Sequence, residues 1–269
     1  MSQWPRSLVL MGAGKMGGAL LRGWLDRGFA PSRVHVVDPH LDEATAALCD
    51  ANGISRAPPE TPPAVLVLAV KPQTFSSDPG AFSALVGPDT LVVSILAGQT
   101  LANLRAGLTA AGAIVRAMPN LPASVGQGIT ALAGEGTLSD ADRAIAGTLL
   151  SAVGQIEWLE ESLIDAVTAV SGSGPAYVFL LAEYLAEAGT AAGLPPDVAA
   201  RLARVTVEGS GALMASQPDR SPAALREAVT SPGGTTAAAL DVLRAPDGLK
   251  ALMAKAIAAA KRRAAELAG

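Results

Sequence analysis

The chain has 269 residues, which is enough for one or two domains at about 150 residues each. Half of the residues are hydrophobic and only 16% are charged, against about 25% in a typical globular domain, so we expect a large core and further apolar surface covered by an oligomer or a membrane. The formal charge is −4 with no long block of one sign, which argues against nucleic acid as a partner.

Rare residue types and targeting signals narrow the class further. Cys49 is the only cysteine, which excludes an internal disulfide and a zinc–cysteine cluster. The two histidines, His35 and His40, lie close together and leave none for a triad with distant partners. The N-terminus lacks the pattern of a secretory signal, and no unbroken aliphatic run approaches the ~20 residues of a spanning helix. We therefore expect a cytoplasmic protein with no metal site and no membrane partner.

The first 161 residues alternate apolar strands with helices. Strands are expected at residues 7–11, 34–37, 64–70, 90–97, 113–117, 127–133 and 155–159. Helices are expected at residues 18–27, at residues 42–52 and after a cap at Ser139 or Asp140. Strands that are apolar on both faces predict an α/β domain with a mainly parallel sheet covered on both sides.

Residues 162–269 have a helical pattern throughout. Helices are expected at residues 164–170, 175–192, 197–215, 223–229, 235–243 and 249–267. The helix at residues 175–192 is apolar nearly all round, with Glu183 and Glu187 as its only charges. Such a helix must be buried on every side, which a small helical domain does not achieve alone. The sequence therefore predicts an all-α second domain that packs against its copy in a homo-oligomer.

A glycine-rich turn follows the first strand and opens the first helix. Its residues are Gly12, Ala13, Gly14, Lys15, Met16 and Gly17. In a Rossmann domain the first glycine permits the tight turn, the second lets the backbone approach a pyrophosphate, and the third lets helix and strand pack closely. Asp38 ends the next strand about 20 residues later, as a dinucleotide site requires. The turn therefore predicts dinucleotide binding, and the alternative is a turn without a ligand.

Asp38 bears on the choice of cofactor. A carboxylate at this strand end accepts hydrogen bonds from the adenosine ribose of NAD and repels the 2′-phosphate of NADP. Arg56 and His40 are the only nearby cations that would compensate. The sequence therefore favours NADH, and the alternative is an aspartate that caps a turn with Pro39.

Two more segments have the composition of a site. Ala69, Val70, Lys71 and Pro72 end the third strand at the sheet edge that faces a ligand, although Lys71 also fits a solvated strand end. The second glycine turn, Ser231-Pro232-Gly233-Gly234-Thr235-Thr236, opens an apolar helix. Its free backbone N–H groups and threonine hydroxyls suit a small carboxylate, and the alternative is an ordinary helix cap.

Residues 170–177 read Val-Ser-Gly-Ser-Gly-Pro-Ala-Tyr, which suits either substrate contact or a hinge capped by Ser173. Together with the two glycine turns, Lys71-Pro72 and the Met-Pro-Asn-Leu-Pro of residues 118–122, this segment makes the chain resemble the pyrroline-5-carboxylate reductase family over essentially its full length. The resemblance implies a Rossmann domain followed by a helical domain that forms an intertwined dimer, often assembled into a decamer. It implies reduction of (S)-1-pyrroline-5-carboxylate to L-proline by NADH or NADPH, the last step of proline biosynthesis.

The resemblance also implies residue roles. Thr236 would hydrogen-bond the substrate ring nitrogen as the catalytic residue, and the amides of Gly234, Thr235 and Thr236 would hold the carboxylate. Asn120, Val229, Ser231 and Gly233 would line the substrate site. Cofactor contacts would come from Gly12, Ala13, Gly14, Lys15, Met16, Gly17, Asp38, Arg56, Ala69, Val70, Lys71, Pro72 and Ala97. Family members that prefer NADP often have a small or basic residue where Asp38 stands, which again favours NADH.

Two other functions stay open at this point. A 3-hydroxyacid dehydrogenase of the 6-phosphogluconate type shares the first glycine turn and the helical domain, but it needs a lysine on the long central helix as acid and base. None of the five lysines falls within residues 175–192. A dinucleotide-sensing protein without turnover would not need the second glycine turn as a substrate pocket.

Overall fold

The computed structural model describes residues 4–136 and 138–268, and it divides into two compact units. The first unit comprises Met1–Gly172 together with Lys261–Gly269, and the second comprises Ser173–Ala260. The helical pattern begins near residue 161 in the sequence, and the helical turns between residues 161 and 172 belong to the first unit. The last helix of the chain begins in the second unit and ends in the first.

A seven-stranded sheet lies at the centre of the first unit. Its strands are β1 (Leu8–Met11), β2 (Val34–Val37), β3 (Val65–Leu68), β4 (Leu91–Ser94), β5 (Ala113–Met118), β6 (Gly128–Gly134) and β7 (Gly154–Trp158). They follow the order β2-β1-β3-β4-β5-β6-β7, and every neighbouring pair is parallel except β5 and β6. The structure thus confirms all seven predicted strands and the mainly parallel sheet.

Within the described residues of the first unit, seven α-helices accompany the sheet. They are α1 (Lys15–Asp26), α2 (Glu43–Asn52), α3 (Pro72–Ser77), α4 (Pro79–Ser83), α5 (Leu101–Gly107), α6 (Asp140–Ser151) and α7 (Ile164–Val167). Of the two candidate caps for α6, Ser139 accepts a hydrogen bond from the Asp142 amide at 3.1 Å. The expected start of α1 at Gly18 was wrong, because the helix begins at Lys15, inside the glycine turn. Helices α3, α4 and α5 were not predicted, since none is longer than seven residues and two begin with proline.

Both faces of the sheet are buried, as the alternation along β1 shows. Leu8 and Leu10 pack with side chains of α1, α2 and α6, whereas Val9 packs on the other face with side chains of α3, α4, α5 and α7. Trp24 of α1 is fully buried and donates from its ring nitrogen to the Leu149 carbonyl of α6 at 2.8 Å. This two-sided core fixes the strand ends that hold the candidate site.

Between β7 and the second unit, residues 161–172 are helical without a break. A 3₁₀ turn at Glu161–Leu163 leads into α7, which continues as a π-helical turn at Thr168–Gly172. One of the two alternatives for residues 170–177 included a cap at Ser173, and that cap was wrong: the backbone angles of Ser173 are helical and its side chain makes no capping hydrogen bond. Wide π-helical turns occur frequently at functional sites.

The second unit consists of helices with little core of their own. They are α8 (Gly174–Ala191), α9 (Pro196–Ser216), α10 (Pro222–Ala228), α11 (Thr235–Leu243) and α12 (Leu249–Ala268), the last of which ends in the first unit. Among the described residues of this unit, only Ala199 and Ala203 are buried hydrophobic residues. On α8, Phe179 is 61% exposed and Tyr184 is 56% exposed. The apolar faces of these helices therefore need cover from another molecule.

One helical stretch among the described residues, Glu161–Ala191, is long and apolar enough to cross a bilayer by length and composition alone. Its mean hydropathy is 1.3, and 11% of that window is buried. The inspection of aliphatic runs missed it because glycine, serine and alanine interrupt the larger side chains. Core helices of water-soluble proteins have the same length and hydropathy.

Candidate active site

The strand register brings all predicted cofactor residues except Arg56, and the predicted substrate residue Asn120, to one edge of the sheet. Met11 lies beside Val37 and Leu68, Leu68 lies beside Ser94, and Ser94 lies beside Arg116. Residues that follow these parallel strands share the carboxyl edge, where α/β sheets bind ligands. They are Gly12, Ala13, Gly14, Lys15, Met16 and Gly17 after β1, Asp38 after β2, Ala69, Val70, Lys71 and Pro72 after β3, Ala97 after β4, and Asn120 after β5.

Two glycines of the first turn are required by the protein itself. Gly12 has φ +86°, and a Cβ atom there would lie 2.7 Å from the carbonyl oxygen of Ala69. A Cβ atom on Gly17 would collide with the carbonyl oxygen of Gly12. The Gly12 amide donates to the Val37 carbonyl at 3.0 Å, and the Ala69 amide donates to the Met11 carbonyl at 2.8 Å. These hydrogen bonds hold the start of the turn between the ends of β2 and β3.

The middle glycine is different. Gly14 has φ −63°, which any residue adopts, and a Cβ atom there would meet no atom within 4 Å. Gly14 is the N-cap residue of α1, and because it has no side chain it makes no capping hydrogen bond. The protein therefore leaves open space over a helix N-terminus, where free N–H groups and the helix dipole favour an anion. These features fit the pyrophosphate of a dinucleotide.

Asp38 lies at the carboxyl edge of the sheet and also supports the glycine turn. Its Oδ2 accepts a hydrogen bond from the Ala13 amide at 2.7 Å, and its Oδ1 accepts one from the His40 amide at 2.8 Å. The turn-capping alternative thus describes part of what Asp38 does. Each carboxylate oxygen has a second lone pair for a ribose hydroxyl.

The other predicted cofactor residues have looser surroundings. Arg56 pairs with Asp50 at 3.0 Å, but both side chains are about half exposed, and such pairs contribute only ~0–1 kcal/mol. Lys71 is exposed at the N-cap of α3, and Pro72 is the first residue of that helix. Ala97 is exposed in the loop between β4 and α5. Of these residues, Lys71 has a long exposed side chain that can reorient toward a ligand.

Asn120 uses its whole amide group to join three segments. Its Nδ2 donates to the carbonyl of Ser171 in the π-helical turn at 3.2 Å, and its Oδ1 accepts from the Ile129 amide of β6 at 3.0 Å. The end of β5 is thereby tied to β6 and to the start of the helical region. Asn120 is placed to hold the site's backbone in shape.

An ion cluster near this edge, built around a buried arginine, was not predicted from the sequence pattern. Arg116 in β5 has a side chain only 7% exposed, and it contacts Glu161 at 3.1 Å and Asp165 at 3.8 Å. Glu161 also accepts a hydrogen bond from the Leu101 amide at the start of α5 at 2.7 Å. An arginine inside an otherwise apolar strand is the signal that would have revealed the cluster.

The second glycine turn lies in the second unit, between α10 and α11. Gly233 has φ +71°, the Gly234 amide donates to the Ser231 carbonyl at 3.1 Å, and Val229, at the end of α10, is 63% exposed. Helix α11 begins at Thr235 and no side chain caps it, so the structure does not show the ordinary cap that the sequence left open. Thr236, the second residue of α11, is half-buried. The uncapped N-terminus suits a carboxylate.

The described residues offer neither a metal-ligand cluster nor a reactive thiol. Among residues 4–136 and 138–268, no three His, Cys, Asp or Glu side chains cluster in a way that could hold a metal ion. Cys49 is buried, and desolvation raises the pKa of its thiol above the ordinary value. Cys49 therefore stays protonated and packs as a small apolar residue.

Comparison with known proteins gives two family matches and close full-length relatives. The family profile described as pyrroline-5-carboxylate reductase dimerisation matches residues 161–267, and the profile described as NADP oxidoreductase coenzyme F420-dependent matches residues 7–98. A pyrroline-5-carboxylate reductase from Pseudomonas aeruginosa is 41% identical over 98% of this chain and 97% of its own length.

Solved structures agree with these matches. A pyrroline-5-carboxylate reductase from Coxiella burnetii superposes with a TM-score of 0.89 at 34% identity, covering 98% of this chain and 99% of that one. A Plasmodium falciparum pyrroline carboxylate reductase with NADP bound superposes with a TM-score of 0.80 at 26% identity, covering all of both chains.

The contrast between Gly14 and Gly12 can be tested by substitution. Gly14→Ala adds a methyl group only to the open space over the turn, so the Kd for NADH or NADPH should rise about tenfold, equal to about 1.4 kcal/mol, with an unchanged melting temperature. Gly12→Ala, the control, should lower stability by about 1–3 kcal/mol because of its positive φ. Fluorescence titration and thermal melts measure both effects. Unchanged cofactor affinity in Gly14→Ala would show that the pyrophosphate lies elsewhere.

Proposed function

The chain belongs to the pyrroline-5-carboxylate reductase family and, as such an enzyme, reduces (S)-1-pyrroline-5-carboxylate to L-proline with NAD(P)H; we propose the roles that its residues take in this reaction. The 41% identity over 98% of the chain supports the activity itself and does not favour the 3-hydroxyacid dehydrogenase or the sensor without turnover. The pair of glycine turns, each opening an uncapped helix, supports the residue roles.

We propose that residues 1–161 bind the dinucleotide and that residues 162–269 form the dimer and hold the substrate. The family profiles at residues 7–98 and 161–267 support this division. The open space over Gly14 takes the pyrophosphate, and the loops after β2, β3 and β4 hold the rest of the cofactor. When bound, the nicotinamide supplies the hydride that the imine carbon accepts.

The second glycine turn holds the substrate in this proposal. The amides of Thr235 and Thr236 bind the carboxylate at the N-terminus of α11. The Gly234 amide, which donates to the Ser231 carbonyl, instead holds the turn in shape. A protonated imine is the better hydride acceptor, so the site must favour the charged ring nitrogen. The Thr236 hydroxyl does so by accepting a hydrogen bond from the ring N–H, and the proton itself comes from water. Hydride addition to the carbon then leaves the neutral secondary amine of proline.

The assembly and location follow from the same features. The dimerisation profile and the uncovered helices of the second unit support a homo-oligomer. We propose that dimers form through this unit and assemble into a decamer, as the resemblance implies. We place the enzyme in the cytoplasm, where a lone reduced cysteine is ordinary, and assign it no nucleic-acid or membrane partner.

The role of Thr236 can be separated from its shape. Thr236→Val keeps the volume and removes the hydroxyl, so kcat/KM for pyrroline-5-carboxylate should fall by about 10²-fold, the scale for loss of one hydrogen bond in a transition state. Thr236→Ser keeps the hydroxyl and should retain most of the activity. Steady-state kinetics with thermal melts as a folding control decide the matter. Wild-type activity in Thr236→Val would remove the hydroxyl from the mechanism.

The cofactor preference is a second test. We expect kcat/KM for NADH to equal or exceed that for NADPH, because the Asp38 carboxylate repels a 2′-phosphate. Asp38→Asn keeps one backbone acceptor and removes the charge, so the ratio should move toward NADPH, and Asp38→Ser should move it in the same direction. Asp26→Asn, at the far end of α1, changes net charge equally and should leave the ratio alone. A large NADPH advantage in the wild type would overturn the assignment.

Light scattering coupled to size exclusion tests the assembly. We expect ten chain masses at micromolar concentration, with two-chain species as the smallest unit on dilution. A constant two-chain mass would overturn the decamer. A single-chain mass at all concentrations would overturn the dimer as well.

A further inference from the structure

The loop between β4 and α5 is a tight turn built around one glycine. The Gln99 amide donates to the Leu96 carbonyl at 3.3 Å, so Ala97 and Gly98 are the central residues of a four-residue turn. Gly98 has φ +74°, a conformation that the third residue of such turns adopts and that favours glycine. Thr100 then caps α5 by accepting from the Asn103 amide at 3.1 Å. The conformation of this turn determines the position of Ala97 at the carboxyl edge of the sheet.

The last turn of α12 lies directly against this loop. The residues Lys261–Gly269 belong to the first unit, although α12 begins in the second. The carbonyl oxygen of Leu267 lies 2.7 Å from the position that a Cβ atom on Gly98 would occupy, and its carbonyl carbon lies 3.2 Å away. A side chain on Gly98 would therefore force the helix end and the loop apart.

The contact has a definite chemistry. The Leu267 carbonyl is one of the last four of the helix, and these accept no hydrogen bond from within the helix. Glycine has only a hydrogen in place of Cβ, so the Leu267 oxygen fits against the loop where a methyl group would not. Glycine at position 98 thus serves two purposes: it permits the positive φ, and it admits the helix end.

We propose that the end of α12, from Lys261 to Leu267, is a positioning element for the cofactor loop at residues 97–100. The proposal rests on the assignment of Ala97 to the cofactor site. Because the dimerisation profile runs to residue 267, the segment that forms the dimer ends on the loop that contacts the cofactor. Cofactor affinity depends on the intact end of α12, and bound cofactor in turn orders that end, since coupling between two sites is reciprocal.

A matched glycine separates the contact from backbone strain. Gly126 has φ +72°, nearly the same as Gly98, but a Cβ atom there would meet nothing within 4 Å. Gly98→Ala should raise the Kd for NADH, measured by fluorescence titration, by about fivefold or more, and Gly126→Ala by less than about twofold. Equal effects of the two variants on the Kd would overturn the proposal. Thermal melts confirm that both variants are folded.

A truncation makes the test independent of how well Gly98→Ala folds. A chain ending at Ala265 lacks Leu267, so its Kd for NADH should rise, and adding Gly98→Ala to it should then cost less than in the full chain. In the full-length protein, saturating NADH should slow amide hydrogen exchange at residues 262–267. An unchanged Kd in the truncated chain, or fully additive effects, would overturn the proposal. A failure of the proposed reaction would show separately, as loss of pyrroline-5-carboxylate turnover with NADH binding intact.

Discussion

The parallel pairing of β1 with β2 on one side and β3 on the other is the constraint on which the site depends. The register ends all three strands at the same level, so the chain must turn sharply at Gly12 to enter α1 beside the backbone of Ala69. Only glycine fits there, because the backbone angle and the neighbouring carbonyl both exclude a side chain. The open space over Gly14 is therefore a consequence of strand packing, available before any ligand arrives.

The second unit differs from the first in the source of its stability. Its helices present Phe179, Tyr184 and Leu185 to solvent in the single chain, although burial of such side chains is worth ~1.5–3 kcal/mol each. The first unit has a core on each face of its sheet and gains its stability internally. The second unit, which the dimerisation profile matches, leaves its apolar faces to be covered in a homo-oligomer. In the proposed reaction the cofactor would therefore bind to the self-contained unit and the substrate to the unit that needs association.

The fold was largely predictable because its strongest signals are local. Apolar strands such as Val65–Leu68, the turn at Gly12 and the cap at Ser139 each follow from a few neighbouring residues. What escaped prediction depends on distant partners: Arg116 with Glu161, Asn120 with Ser171, and Gly98 with Leu267. Nothing in the residues around Gly98 indicates that the last turn of the chain lies against it. The short helices α3 to α5 were missed because tertiary packing, not periodicity, maintains them.

Asp38 shows how such contacts limit what a substitution does. As a strand-end carboxylate, its charge alone would set the preference between the two cofactors. In the structure both of its oxygens also accept backbone hydrogen bonds, from Ala13 in the glycine turn and from His40. Removing the carboxylate leaves the Ala13 amide without its acceptor at the point where the turn approaches the pyrophosphate. A clean change of cofactor preference at this position therefore requires another acceptor for that amide. A side chain that retains one oxygen, as in Asp38→Asn, removes the charge and keeps an acceptor, so it separates the effect of charge from the effect of turn geometry.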